Sequence, residues 1–456
     1  MRGSLEQVAS TIDGAHVTRD AYFQGVSTDS RQLMPGSLFV ALRGERFDAH
    51  DFLDQVVDKP LAAVVVERLP EHYPLPALVV PDTLAALGRI GNFWRRRFAI
   101  PVVGVTGSNG KTTVKEMISA ILMAAFGAEG RLATQGNLNN EIGVPLTVTR
   151  LTDAHKAAVV ELGMNHPGEI ARLAAIAEPT VALVNNAQRE HQEFMHTVEA
   201  VARENGAVLQ ALPADGVAVF PGDDEYTALW RELAGERKVM TFGLTDACDV
   251  RATYTTNGFG SELAVEAGVE RFALVLSAAG VHNVRNALAA IACALGAGIP
   301  VDAIVRGLEA FAPVSGRLQR KQAVSGATVI DDTYNANPDS VRAAIDVLAQ
   351  YPSPRILVLG DMGEVGTQGP EFHQEIGAYA ASRGIDTVLA TGDLARHMAA
   401  SGAQHYEQFD ELLAALDQKL GSKSDATVLV KGSRFMKMER VVQHLIASTN
   451  TGKEAH

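Results

Sequence analysis

Residues Thr106-Gly107-Ser108-Asn109-Gly110-Lys111-Thr112-Thr113 set a glycine-rich turn, one lysine and paired threonines between an apolar run and a helix-period segment. A turn of this kind at a helix N-terminus aims several backbone N–H groups at one point, and the helix dipole adds to them. Such a cradle suits phosphate. Lys111 supplies a point charge for the outer phosphates of a nucleotide, and the Thr112 hydroxyl is positioned to hold Mg²⁺. The string departs from a literal G-x-x-x-x-G-K-[ST], because Gly104 lies one residue too far from Gly110. The pattern points to nucleotide binding without naming a reaction.

Phosphate-bound Mg²⁺ needs further hard ligands, often carboxylate. Glu161 ends the run Ala-Ala-Val-Val-Glu, and His191 comes soon after Val-Ala-Leu-Val-Asn-Asn. Ligands gather at the carboxyl ends of strands in an open parallel sheet, so both residues are expected to face the turn. Each also has a reading without function. Glu161 could cap a helix or pair with a cation, and His191 could be a surface-loop histidine.

The elements that must position these groups follow from hydrophobic period. Pro101–Thr106 reads as a buried strand. Thr112 to Phe126 follows it with Val114, Met117, Ile118, Ile121, Leu122 and Ala125 at helical spacing. Strand runs at Ala157–Glu161 and Val181–Val184 alternate with helical patterns, which implies a parallel sheet with helices on both faces. Gly216 to Leu276 is richer in turns and reads as an antiparallel edge, and Asn283 to Gly296 as an apolar helix. Before residue 98, short apolar runs at Leu38–Leu42, Ala62–Glu67 and Ala77–Val80 are punctuated by Pro and Gly, as in a small α/β domain. Leu84 to Arg97 reads as a helix whose end carries Arg95, Arg96 and Arg97, where basic residues favour the dipole. After residue 315, strand runs at Thr328–Ile330, Arg355–Leu359, Ile385–Ala390 and Thr427–Lys431 alternate with helices near Asp339–Ala349, Pro370–Ser382 and Phe409–Leu420. This is a second doubly wound unit. The tail Thr-Asn-Thr-Gly-Lys-Glu-Ala-His is expected to fray.

The expected fold class is therefore α/β in three domains, over 1–98, 99–314 and 315–456. The chain has 456 residues, 47% hydrophobic and 20% charged, enough for about three cores. Two cysteines, Cys248 and Cys293, give no disulfide framework or zinc cluster and fit a reducing compartment. A formal charge of −13 argues against a broad grip on nucleic acid. The polar start lacks a signal peptide's apolar core, and no run approaches a membrane span, so a cytoplasmic protein without membrane contact is expected.

Five ordered strings resemble the Mur ligase family, the ATP-dependent amide ligases of peptidoglycan synthesis. They are 106–113, Glu-Leu-Gly-Met-Asn-His-Pro-Gly-Glu-Ile (161–170), Gly-Val-His-Asn-Val-Arg-Asn-Ala (280–287), Gly-Arg-Leu (316–318) and Ile-Asp-Asp-Thr-Tyr-Asn-Ala-Asn-Pro-Asp-Ser (330–340). Within the family, three stretches resemble the branch that adds D-alanyl-D-alanine to UDP-N-acetylmuramoyl-tripeptide. These are Thr-Gln-Gly-Asn-Leu-Asn-Asn-Glu-Ile-Gly-Val-Pro (134–145), Leu-Gly-Asp-Met-Gly-Glu-Val-Gly (359–366) and Asp-Asp-Thr-Tyr-Asn-Ala-Asn-Pro (331–338). The Asp-Asn-Pro-Arg string of the diaminopimelate- or lysine-adding branch is absent.

The resemblance implies a small uridine-nucleotide domain holding the UDP-muramoyl peptide, a central P-loop ATPase domain with a mostly parallel sheet, and a C-terminal Rossmann-like ligase domain. It implies ATP and Mg²⁺, an acyl phosphate on the tripeptide carboxylate, then attack by the dipeptide amine to give the pentapeptide, ADP and phosphate. A monomer is the family expectation. Gly107, Ser108, Asn109, Gly110, Lys111, Thr112 and Thr113 would hold the ATP phosphates, with Thr112, Glu161 and His191 on the metal. Asn283 and Asn286 match the family's asparagine pair near the adenine, Asn283 also being a candidate helix N-cap. Arg317 matches an arginine that meets the nucleotide from the junction with the third domain. Asp332, preferred to Asp331 on spacing, matches an aspartate near the ribose. Lys111, Glu161, His191, Asn283, Arg317 and Asp332 form the expected catalytic set. Ser30 and Arg31 match uridine-diphosphate contacts, where the Arg fork suits phosphate. Asn137 to Asn140, with Asn137 and Asn139 as the candidate contacts, lie in a loop expected near the muramoyl substrate or the γ-phosphate. A hinge is expected near Pro313–Gly316.

One position departs from the family. Several members carry a lysine, carbamylated in some, fourteen residues after the metal-site histidine; here that position is Asn205, which cannot be carbamylated. Glu204 is a candidate substitute. Other readings remain: a Mur-type ligase adding a single amino acid, a folate-glutamate ligase of the same fold, or a P-loop ATPase with a regulatory or transport role. The last should show an aspartate where this chain has Glu161.

Overall fold

A computed structural model describes residues 1–44, 47–421 and 424–447. The tail expected to fray, 449–456, lies outside the described residues.

The first sheet has five strands in the order His16–Val17, Ala77–Val79, Ala63–Val66, Leu38–Val40, Val26–Ser27, all parallel but the first. The three apolar runs of the first stretch are its centre. They are continuous rather than alternating because both faces are covered. Leu38, Val40, Val65 and Leu78 pack with Leu87 and Ile90 of the helix Thr83–Arg95, while Phe39, Val64 and Val66 pack with Leu53 and Val56.

The central sheet has nine strands. Their order is Glu270–Leu276, Gly260–Ala267, Val250–Asn257, Lys238–Gly243, Val217–Pro221, Val181–Val184, Val102–Thr106, Ala157–Glu161, Arg131–Ala133. The region 216–276 was expected to be an antiparallel edge, and the structure corrects this. Val217–Pro221 and Lys238–Gly243 continue the parallel sheet, with the helix Thr227–Ala234 as their crossover; only the meander over 250–276 is antiparallel. Helices Lys111–Phe126, Val281–Gly296 and Val301–Glu309 cover one face, and Glu169–Ala177, Val198–Gln210 and Thr227–Ala234 the other.

Strand order is what builds the site. Val102–Thr106 lies between Val181–Val184 and Ala157–Glu161, with Val184 in register with Thr106 and Glu161 with Val105. The turn after residue 106, the Glu161 carboxylate and the segment after Val184 therefore emerge side by side at one sheet edge.

The third sheet runs Gln319–Gln322, Thr328–Asp332, Thr427–Lys431, Arg355–Leu359, Thr387–Thr391, Gln404–Tyr406, parallel except for its first strand. Helices Pro338–Leu348 and Gly369–Ser382 lie on one face, Phe409–Leu420 and Glu439–Ile446 on the other. No described helix is long and apolar enough to cross a membrane.

Arg95 ties the first unit to the second. Its buried guanidinium donates to Ala177 O (2.9 Å) and Glu178 O (3.0 Å), satisfying carbonyls at the end of the helix Glu169–Ala177, and to Phe98 O (2.6 Å) just after its own helix.

Candidate active site

The turn at 107–110 needs glycine at its last position. Gly110 has φ 81°, and a Cβ there would lie 2.7 Å from Asn185 Nδ2. The turn is held from the neighbouring strand end: Ser108 N donates to Asn186 O (3.1 Å) and Asn109 N to Asn186 Oδ1 (2.8 Å). The helix Lys111–Phe126 starts directly after it, as the phosphate-cradle reading requires.

Lys111 does not reach into open solvent. Its Nζ donates to Gly107 O (2.6 Å), Ser108 O (3.1 Å) and Glu190 Oε1 (2.9 Å). Burial pushes the Glu190 carboxyl up, but Lys111 and His191 outweigh it and hold it below the usual carboxylate range.

Thr112 and Glu161 meet across the strand register, Thr112 Oγ1 donating to Glu161 Oε1 over 3.2 Å. Asn139 Nδ2 donates to the same carboxylate oxygen (2.8 Å) and to Asn137 Oδ1 (3.0 Å), so the asparagine loop leans on Glu161. Glu161 Oε2 is buried without a hydrogen-bond partner among the described residues. A hydroxyl and an unpaired carboxylate oxygen at a phosphate cradle are a donor set that fits Mg²⁺. Of the other residue expected on the metal, His191, Nδ1 lies 2.7 Å from Glu364 and Nε2 3.4 Å from Glu190. Burial opposes its protonation, but the two carboxylates raise it to about 9. Its φ of 49° is rare for a residue other than glycine.

A relay of amides runs along the other wall. Asn185 Nδ2 donates to Asn109 O (2.8 Å) and Asn286 Oδ1 (3.0 Å), Asn286 Nδ2 to Asn283 Oδ1 (3.1 Å), and Asn283 Nδ2 to Ala279 O (2.8 Å). Asn283 is not an N-cap. The helix begins at Val281 with Gly280 before it, which places Asn283 in the first turn.

The third sheet supplies the facing wall. Asp332 and Asp331 are neighbours in a strand, so their side chains take opposite sides. Asp332 lines the cavity, accepting from Lys431 Nζ (2.6 Å) and Leu318 N (3.1 Å), whereas Asp331 pairs with Lys321 away from it. Burial pushes the Asp332 carboxyl up, and Lys431 opposes that shift. Arg317 Nη2 donates to Thr112 Oγ1 (2.9 Å) with its guanidinium 4.2 Å from the Tyr334 ring centre. Asn109 and Asn337 exchange amide bonds (2.9 and 3.3 Å). Arg189 forks onto Asp339 (2.6 Å) and Glu375 (2.8 Å).

These walls enclose a cavity of about 720 Å³. It brings together Ser108, Asn109, Gly110, Lys111, Thr112, Thr113, Asn137, Asn139, Glu161, His191, Asn283, Asn286, Arg317 and Asp332; Gly107 contributes backbone beneath it. Ser30 and Arg31 are not among its lining residues, and Arg31 is largely exposed and hooked onto Asp29. Asn205 is fully buried and accepts from Thr106 Oγ1 (2.6 Å) behind the turn, outside the lining. Glu204 is no substitute for an acidic ligand, because it accepts from Gly168 N (2.8 Å) and Ile170 N (2.9 Å) at the start of the helix Glu169–Ala177. Glu190, Arg189, Glu364 and Lys431 were not anticipated. Lys431 ends an apolar strand, so the carboxyl-end rule that found Glu161 could have found it too.

The chain matches two family models, the Mur ligase middle domain over residues 105–294 and the Mur ligase glutamate ligase domain over 316–434. It is 40% identical over 446 residues to the UDP-N-acetylmuramoyl-tripeptide–D-alanyl-D-alanine ligase of Escherichia coli strain K12, covering 97% of this chain and 98% of that protein. Its fold is similar to a crystal structure of MurF from Acinetobacter baumannii, with a TM-score of 0.91, 35% identity, and 98% and 99% of the two chains covered. It is also similar to MurF ligase from Thermotoga maritima in complex with ADP, with a TM-score of 0.82, 27% identity, and 92% and 97% covered.

Proposed function

The chain belongs to the Mur ligase family, and on that premise we infer that it joins D-alanyl-D-alanine to UDP-N-acetylmuramoyl-tripeptide at the cost of ATP in peptidoglycan synthesis. The reading rests chiefly on a likeness to ligases of that activity that runs the length of the chain.

The tripeptide carboxylate is a poor electrophile, and transfer of the γ-phosphoryl group to it makes an acyl phosphate. The backbone N–H groups of 107–113 and the Lys111 ammonium hold the phosphates. Arg317, already beside Thr112, stabilises charge on the transferring group from the third sheet. Mg²⁺, when bound, neutralises phosphate charge; Thr112 and Glu161 would hold it, and His191 would join them only on leaving Glu364 and Glu190. Asn139 positions Glu161 and the loop that faces the muramoyl peptide. Asn283 and Asn286 serve the adenine end, and Asp332, fixed by Lys431, the ribose. Ser30 and Arg31 take the uridine diphosphate. Units divided near residues 98 and 314 carry the uridine end, ATP and the closing wall. Closure excludes the water that would hydrolyse the acyl phosphate. Both nucleotides are cytoplasmic solutes, and the enzyme works there.

The test is mass spectrometry of the product made from ATP, UDP-muramoyl-tripeptide and either D-alanyl-D-alanine, D-alanine or L-alanyl-L-alanine. The pentapeptide forms with the D,D-dipeptide; equal ligation of D-alanine would refute the assignment.

A further inference from the structure

Glu190 enters the scheme above only as a partner of His191, yet it lines the cavity directly against Lys111. It follows the strand Val181–Val184 between Arg189 and His191 and lines the cavity. Its Oε1 takes one proton of the Lys111 ammonium at 2.9 Å, and Gly107 O and Ser108 O take the other two. An ammonium has three protons to donate. The chain therefore saturates its phosphate-binding lysine before any phosphate arrives. Both partners are mostly buried, the Lys111 and Glu190 side chains being 14% and 11% exposed. Glu190 Oε2 is buried with no hydrogen-bond partner among the described residues. A carboxylate held through one oxygen, with the other desolvated and unpaired, is poorly satisfied where it sits.

We propose that Glu190 is a built-in stand-in for a nucleotide phosphate, holding Lys111 in the empty site and giving way when a phosphate oxygen takes its place on Nζ. The exchange keeps an anionic oxygen on the ammonium in both states, and the bonds to Gly107 and Ser108 keep Lys111 at the mouth of the turn. Lys111 is thus never a buried cation without a counter-charge. The same carboxylate competes with bound nucleotide, weakening the hold on ADP and favouring its departure after each turnover. Glu190 is a positioning residue that acts through Lys111. The proposal rests on the ligase reading only in requiring nucleotide phosphates at 107–113.

The test is calorimetric titration of ADP and of adenosine into the full-length wild type, Glu190→Gln and Glu190→Asp, with nucleotide-free thermal unfolding alongside. The Gln variant keeps the shape and removes the charge. It should bind ADP about ten-fold tighter, the scale of one charge-assisted hydrogen bond, and adenosine no tighter. Its nucleotide-free form should unfold at a lower temperature than wild type and recover on adding ADP. Glu190→Asp retains the charge, guarding against a folding failure, but its carboxylate falls short of Lys111, so ADP tightens there too. ADP binding unchanged or weakened in both variants, or an equal gain for adenosine, would overturn the proposal. A wild type that binds no ADP would instead overturn the nucleotide-site reading, and the same titrations tell the two failures apart.

Discussion

Arg317 donates from Nη2 to the Thr112 hydroxyl across 2.9 Å, joining residues 205 positions apart on the facing walls built by the second and third sheets. Thr112 opens the helix of the phosphate cradle, and Arg317 stands just before the first strand of the third sheet. The contact joins the third unit directly to the second. Stacked on Tyr334, the guanidinium is oriented before substrate arrives.

Arg317→Ala should therefore lower kcat/KM by about 10²–10³-fold, the usual scale for one pre-positioned donor to developing charge. Arg317→Lys should not restore it, because an ammonium supplies neither the planar fork nor the stacking on Tyr334. Steady-state phosphate release under saturating dipeptide checks both variants.

Arg189 is the second tie across the same gap, forked onto Asp339 and Glu375 with its guanidinium 5.3 Å from the Phe372 ring centre. These side chains are partly exposed, so the cluster is worth about 1–2 kcal/mol after solvent screening. Arg189→Ala should shift ligand-free small-angle scattering toward a larger radius of gyration, with motion about Pro313–Gly316, and ATP with UDP-muramoyl-tripeptide should reverse the shift. Identical ligand-free profiles for variant and wild type would count against a latch.

His282 sits in the cavity wall, where burial first and the Lys431 ammonium second push it down to about 4, with Asp346 opposing. Its folded value lies below the unfolded value of 6.5. Between those values the unfolded chain binds more protons, so stability falls as pH drops through that window and is fully present above it. His282→Gln should flatten the dependence of denaturant stability on pH between 6.5 and 4 by the equivalent of about one proton. An unchanged slope would mean that His282 titrates normally in the fold.

Asn205, expected from the family resemblance at the position of a carbamylated lysine, is sealed behind the turn on Thr106. Asn205→Ala leaves a buried hydroxyl unpaired and should cost about 1–3 kcal/mol. The Mg²⁺ concentration needed for half-maximal activity should stay the same in this variant and in Asn205→Lys, which tests whether the position touches the metal.

Most of the central sheet was legible because its strands are buried on both faces and read as unbroken apolar runs, such as Val181–Val184. The strand Gln319–Gln322 was not, since this edge strand is built of polar residues and carries no period. The region 216–276 misled because its turns look alike whether a helix or a hairpin follows. At the site, Lys111 was legible from the glycine-rich turn before a helix and Glu161 as a polar residue ending an apolar run, whereas Asp332 was reached only through the family resemblance. Glu190 and Arg189 were not legible, because their partners Lys111, Asp339 and Glu375 are brought to them only by strand order and by closure of the third unit. Glu204 misled for a related reason: its helix-capping role depends on a neighbour, 168–170, that spacing alone does not reveal.

The central claim is ligation through an acyl phosphate at the cavity between the second and third sheets. The most direct measurement uses UDP-muramoyl-tripeptide carrying ¹⁸O in its reacting carboxylate, with ATP and D-alanyl-D-alanine, and mass analysis of the released phosphate. One carboxylate oxygen passes to phosphorus when the acyl phosphate forms and leaves with phosphate when the amine attacks. One ¹⁸O in each phosphate released with pentapeptide is the predicted result. Pentapeptide formed with unlabelled phosphate would contradict the account.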